Sequence, residues 1–192
     1  MEFREGAGRL SLDYIRTLRR RGLADEAEEL PDAKALATWI HQFVPGLLTT
    51  AARDSGEGSG GDVRVEEAWE LREAVHALVL AARAGRVVGQ GERDVVNRAA
   101  ARPVPAPLLG GDGRLRWAAE DPVAAVLSLV ARDVLELVTS PAIERVRACA
   151  GDGCAALFLD GSRPGTRRWC SMGTCGNRAK KQTLRARAAG AS

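Results

Sequence analysis

Four cysteines in the last quarter of the chain constrain it more than any other feature. They read Cys149-x4-Cys154-x15-Cys170-x4-Cys175. Two close pairs and a spacer are the arrangement that a tetrahedral zinc site requires, because each pair closes on a local turn and the spacer lets the pairs meet. Between the first pair lies Ala150-Gly-Asp-Gly153, whose two glycines are expected to adopt positive-φ turns that aim sulfurs and backbone amides at one ion. Cys175 opens a helix-forming run, and a helix N-terminus favours the thiolate that a metal ligand must supply. Two disulfides in any of three connectivities, and four buried free thiols, are the competing readings. A redox pair is disfavoured, since the sequence contains no Cys-x-x-Cys. The N-terminal residues lack the pattern of a secretory signal, so a reducing cytoplasmic setting is expected. Four thiolates also close the coordination shell, which makes the expected ion structural rather than catalytic.

Charge divides the chain in the same place. Residues 1–140 carry 18 Arg/Lys against 22 Asp/Glu, whereas residues 141–192 carry 10 against 3. An acidic body followed by a basic, cysteine-bearing tail suggests two modules, the second facing a polyanion. With 192 residues and 45% hydrophobic composition, the chain can bury one good core. Its most apolar stretches, residues 75–82 and 123–131, fall short of the roughly 18 residues that a membrane-spanning helix needs.

Helical signals dominate the first 140 residues. Residues 10–18, Leu-Ser-Leu-Asp-Tyr-Ile-Arg-Thr-Leu, are too few for periodicity to choose between strand and helix. Asp32 is a candidate N-cap for a helix through Phe43, with Leu36, Ile40 and Phe43 on one face and Pro45-Gly46 as the stop. Residues 56–61 are glycine-rich and expected to form a flexible loop, but they lack the spacing of a nucleotide-binding motif. Leu71, Val75, Leu78, Val79 and Ala82 mark an amphipathic helix over residues 65–84, stopped by Gly85. A shorter helix is expected over residues 92–101. Residues 108–117 read as a β-hairpin about Gly-Gly-Asp-Gly. Asp121-Pro122 then caps the clearest helix, with apolar Val123, Val126, Leu127, Val130, Val134, Leu137 and Val138. Ser140-Pro141 closes it. His41 and His76 are isolated helical histidines, and no nucleophile elbow or carboxylate cluster accompanies them, so the chain does not read as an enzyme.

Past the boundary, the expected order is a knuckle at Cys149–Cys154, a hairpin of extended segments 156–159 and 167–169 about a turn at 160–165, and a helix after Cys175. That order describes a treble-clef-like finger. The fold class is therefore α+β, with a mostly helical N-terminal domain over 1–140 and a C-terminal zinc finger over 141–192. Residues 149–178, ending in Cys175-Gly176-Asn177-Arg178, closely resemble the CGNR zinc finger. The stretch Leu10-Ser-Leu-Asp-Tyr-Ile-Arg-Thr-Leu18 is similar to the opening of the ABATE domain that precedes it in that family. Tyr14 stands where the family has Phe, and Arg16 where a small polar residue is common. The resemblance implies a bacterial, stress-induced transcription regulator with a zinc-binding tail.

The tail also makes a case for DNA on its own. Arg178, Lys181 and Arg185 fall at i, i+3 and i+7 of one helix, with Lys180 and Arg187 to the sides. Alanines keep that helix slim enough for a major groove about 12 Å wide. Asn177, Arg178 and Lys181 are assigned to base edges, and Arg163, Arg167, Arg168, Lys180 and Arg185 to phosphates. Neutralising about six phosphates gives a slope of log affinity on log salt near −5. In the competing reading Arg178 stays at the knuckle, Asn177 serves the turn, and the tail contacts RNA or an acidic protein surface. Trp169 reads as packing, joined by Phe158 and Leu184, and Asp160 as a turn former. One finger makes few base contacts, so a homodimer through the N-terminal domain is expected, and that domain is a candidate seat for a small-molecule signal.

Overall fold

The computed structural model describes residues 2–47 and 60–189. Residues 10–18 resolve into a short helix α1 (Leu10–Ile15) followed by strand β1 (Leu18–Arg19). Their pattern is ambiguous for a physical reason: Ser11 through Ile15 are all buried, polar and apolar alike, so no face is turned to solvent. Asp133 accepts the Ser11 amide at 2.9 Å and its hydroxyl at 2.5 Å, and Asp13 accepts the Ala7 amide at 2.9 Å. Strand β1 pairs antiparallel with β2 (Ala27–Glu28), with Leu18 opposite Glu28. Across this hairpin Arg72, with only 4% of its side chain exposed, grips both carboxylate oxygens of Glu28 at 2.7 and 2.6 Å.

Helix α2 (Ala33–Phe43) starts where the Asp32 carboxylate accepts the Ala35 amide, and it buries Leu36, Trp39 and Ile40. Helix α3 (Gly60–Arg83) begins five residues before the expected start. Gly60 and Gly61 open it instead of belonging to a loop, while residues 56–59 of the glycine run lie outside the described residues. Helix α4 (Gln90–Ala100) precedes the hairpin of β3 (Ala106–Leu109) and β4 (Leu115–Ala118), paired from Ala106–Ala118 to Leu109–Leu115. Helix α5 (Pro122–Thr139) carries Pro122 in its first turn and is capped by Asp121. Val126, Leu127, Val130, Val134 and Leu137 on α5 are essentially inaccessible and form the centre of the core. Such apolar burial drives the packing of α1, α3 and α4 around this helix.

A 3₁₀ turn (Pro141–Arg145) leads into β5 (Val146–Ala148), which pairs antiparallel with β6 (Leu157–Leu159). This corrects the expected tail topology: the partner of residues 157–159 precedes the first cysteine, and residues 167–169 form no strand. Among the described residues they contribute one backbone–backbone bond, from the Ala150 amide to the Arg168 carbonyl at 2.8 Å. Helix α6 (Asn177–Ala189) ends the described chain. Strand β6 also locks onto the N-terminal segment through the Leu159 amide and Ala7 carbonyl at 2.7 Å. A side chain at Gly8 would meet the Leu159 Cβ at 3.1 Å, so glycine permits that approach. Phe158 is fully buried as expected, but Leu184 is 56% exposed on α6 and does not join it. Among the described residues, no helix is long and apolar enough to cross a membrane.

Candidate metal centre and the basic surface beside it

The β5–β6 hairpin holds the first cysteine pair at its tip. The Cys149 amide donates to the Ala156 carbonyl at 2.8 Å, and the Cys154 amide donates to the Gly151 carbonyl at 3.0 Å. Gly153 is left-handed with φ +62, as the turn was expected to require. Gly151, contrary to expectation, does not take a positive φ and is needed for a different reason. A Cβ there would lie 3.0 Å from the Cys175 Cβ and 3.1 Å from its Sγ. A second left-handed residue, Ala155 at φ +51, had no sequence signal because alanine does not mark such positions.

The second pair comes from the segment after Trp169. Cys170 is buried, and Cys175 sits in a π turn (Met172–Gly176) immediately before α6. All four sulfurs lie within 4.8 Å of one another. Cys154 and Cys170 sulfurs are 3.6 Å apart, and those of Cys170 and Cys175 are 3.7 Å apart. Disulfide sulfurs would be about 2.05 Å apart. Four ligands at about 2.3 Å from a tetrahedral zinc stand about 3.8 Å apart, so the cluster fits one structural zinc ion. Backbone amides already point at the sulfurs, with Gly151 and Cys170 both donating to Cys149 Sγ, at 3.4 and 3.3 Å.

Proton chemistry agrees with a cation at this place. Hydrogen bonding with Cys170 pulls the Cys154 thiol down to about 4, while the same bond pushes Cys170 up. Burial, followed by Cys154, pushes Cys175 up to about 11. Thiolates this close cannot all ionise without a compensating charge, and a divalent ion supplies it.

Asp160 fixes the loop between the pairs. Its carboxylate accepts the Ser162 amide at 2.9 Å, the Ser162 hydroxyl at 2.6 Å and the Arg167 amide at 2.9 Å. The Ser162 bonds, chiefly, hold it below the usual carboxylate range. Arg167 is drawn inward by the same loop. Its Nε and Nη2 donate to the carbonyls of Trp169, Cys170 and Gly6, and it lies 4.6 Å over the Phe158 ring, so three of its five N–H donors are already committed. Arg168, by contrast, is exposed and stacks on Trp169 at 4.5 Å.

The other basic residues separate by face. Arg163, Asn177, Lys180, Lys181 and Arg185 are exposed. Lys180 and Arg168 border a groove on the finger with Trp169 and Met172. Arg178 faces the opposite side, lining a cleft with Cys154, Cys175 and the β1 region. Asn177 ties down the π turn through its amide and the Gly173 carbonyl at 3.3 Å. At Gly176 a Cβ would lie 2.7 Å from Met172 Sδ and 2.9 Å from Trp169, so a side chain there requires both neighbours to shift. His76, read from sequence as an isolated helical histidine, lines the Arg178 cleft; its cleft neighbours are distant in sequence, so no motif could mark it.

A helical body joined to a compact four-thiol cluster that fits zinc defines a zinc-finger protein. The chain belongs to the ABATE family, described as a putative stress-induced transcription regulator, which it matches over residues 8–141. Residues 145–188 match the CGNR zinc finger. Neither description is of an enzyme. The chain matches no curated protein.

Proposed function

We propose that this protein is a zinc-dependent DNA-binding regulator whose reading element is α6. One observation carries the proposal: α6 bears Arg178, Lys180, Lys181, Arg185 and Arg187 with no acidic residue, and over residues 177–188 it stays exposed save for half-buried Ala179. A helix so charged and so little packed gains nothing from the fold it belongs to, and a polyanion supplies the missing partner. In this reading Cys149, Cys154, Cys170 and Cys175 hold the zinc that anchors the helix start. Asn177 and Lys181 approach base edges, and Arg163, Arg168, Lys180 and Arg185 meet phosphates. Arg167 is left out, since its donors serve carbonyls.

The chain divides near residue 140 into a body and a finger, acts in the reducing cytoplasm, and pairs as a homodimer through the body. Leu109 and Leu115, 76% and 62% exposed on the β3–β4 hairpin, support such a contact. A monomeric mass by light scattering at tens of micromolar overturns the dimer.

Fluorescence anisotropy with duplex DNA across a salt series tests the main reading. Lys180→Ala/Arg185→Ala is expected to weaken binding and reduce the slope of log affinity on log salt by about 2, with zinc retained. Equal binding by the variant and wild type refutes the assignment of α6. Preference for single strands or RNA, or no binding to nucleic acid, moves the function to an RNA or protein partner.

A further inference from the structure

We infer that the cleft between the β1–β2 hairpin and the zinc knuckle is a binding site for a phosphate-like oxyanion. Arg4, Arg19, Arg20, Arg21 and Arg178 line it together with His76, and no carboxylate is among its lining residues. The cavity is about 60 Å³. That is room for about four waters, or for one tetrahedral oxyanion and little more.

The arginines are arranged beyond what the fold requires. Arg20 takes φ +54, a region sparsely used by residues with a side chain. This conformation lays its guanidinium against the knuckle, where a side chain at Gly153 would meet Arg20 Nη2 at 3.1 Å. The Nη2 of Arg21 is buried and has no hydrogen-bond partner among the described residues, although Nη1 of the same group bonds Glu73. Arg19 and Arg20 are paired with Glu29 and Asp25, at 3.0 and 2.5 Å, on carboxylates that do not line the cavity. Arg4 and Arg178 have no carboxylate partner among the described residues. Convergent cations with donors to spare form a site for a multiply charged oxyanion.

A duller role would be to neutralise the thiolates of the zinc centre. The hydrogen bonds point away from that role. Backbone amides of Gly151 and Cys170 donate to Cys149 Sγ, and among the described residues no guanidinium donates to any cysteine sulfur. Residues from the N-terminal segment, β1, α3, the knuckle and α6 all meet at this cleft. An oxyanion seated there bridges the body to the helix start and couples its own binding to the setting of the finger.

The test uses the zinc-loaded full chain with inorganic phosphate as the probe, at ionic strength held constant with potassium chloride. Calorimetry and thermal unfolding are expected to give saturable binding and a raised melting temperature. Arg4→Gln/Arg178→Gln is expected to weaken phosphate at least tenfold with one zinc retained. Arg86→Gln/Arg93→Gln, at exposed positions outside the cleft, keeps wild-type affinity. No saturable effect overturns the proposal, as does equal phosphate affinity in the cleft variant. Loss of zinc from the cleft variant, with phosphate binding unaltered when zinc is restored, assigns the arginines to the thiolates and also overturns it. Two sources of the oxyanion separate in a competition arm. Displacement of bound duplex by phosphate from wild type alone identifies a DNA backbone phosphate, and simultaneous binding identifies a small phosphorylated molecule. The phosphate titration involves no DNA, so failure of the α6 reading leaves it interpretable.

Discussion

At the scale of single residues, Gly151 ties backbone chemistry to metal chemistry most tightly. Its missing Cβ is the space that Cys175 occupies, at 3.0 Å. Gly151→Ala must displace that ligand, and the variant is expected to bind zinc at least tenfold more weakly in competition with a chromophoric chelator. Unchanged zinc affinity would show that the sulfur cluster tolerates the shift. Arg72 is the corresponding residue of the body. Its buried guanidinium is satisfied by Glu28, Glu73 and Thr17, and truncation leaves these groups without their partner. Arg72→Ala is expected to cost about 3–5 kcal/mol in urea unfolding, the range for breaking a buried pair from one side. A loss below about 1 kcal/mol would mean that Glu28 finds water instead. The glycine punctuation and the cysteines were readable from sequence, but Arg72 was not, because an arginine in a helical pattern looks solvated until its partner on another element is known.

Among elements, α5 was the most legible, because its cap, first-turn proline and apolar face agree with one another. Burial raises the Asp121 pKa, but the Ala124 amide and Arg64 outweigh it and hold the carboxyl below its ordinary value. The unfolded chain therefore takes up a proton at higher pH than the folded chain. Stability contributed by ionised Asp121 is present above about pH 4 and lost as pH falls through the folded pKa. Asp121→Asn retains an N-cap without the titration. It is expected to lose less stability than wild type between pH 7 and pH 3, by denaturant unfolding, and parallel losses would remove Asp121 from the acid response. The β5–β6 hairpin was misread because its first strand, Val146–Ala148, is only three residues long and precedes the cysteines. Strand pairing is a tertiary choice, and residues 167–169 offered an equally extended alternative.

For the whole molecule, the finger and body share one apolar core. Phe158, Leu157 and Cys149 are continuous with Phe3, Ala7 and the α5 face. The N-terminal segment is held by β6 through Ala7 and by Arg167 through Gly6, and Arg83 of α3 donates to the Val146 carbonyl at 3.0 Å. Because zinc supplies folding energy to such a cluster, its removal should reach the body. Chelation is expected to speed hydrogen exchange at the Leu159 and Asp160 amides and to lower the melting temperature of the helical body. A body that melts at the same temperature with and without zinc would show that the contacts are energetically separable.

Cysteine spacing, glycine turns, helix caps and apolar periodicity determined the α+β class, the zinc-finger tail and most helix positions. These features act over a few neighbouring residues, and a sequence displays them directly. Only the tertiary structure decided that Arg167 is spent on carbonyls, that Arg178 faces a cleft rather than the open stripe, and that His76 and the β1 arginines meet the knuckle. Each of those outcomes depends on which distant backbone lies within hydrogen-bond reach. Side-chain charge and spacing along the chain do not encode that distance.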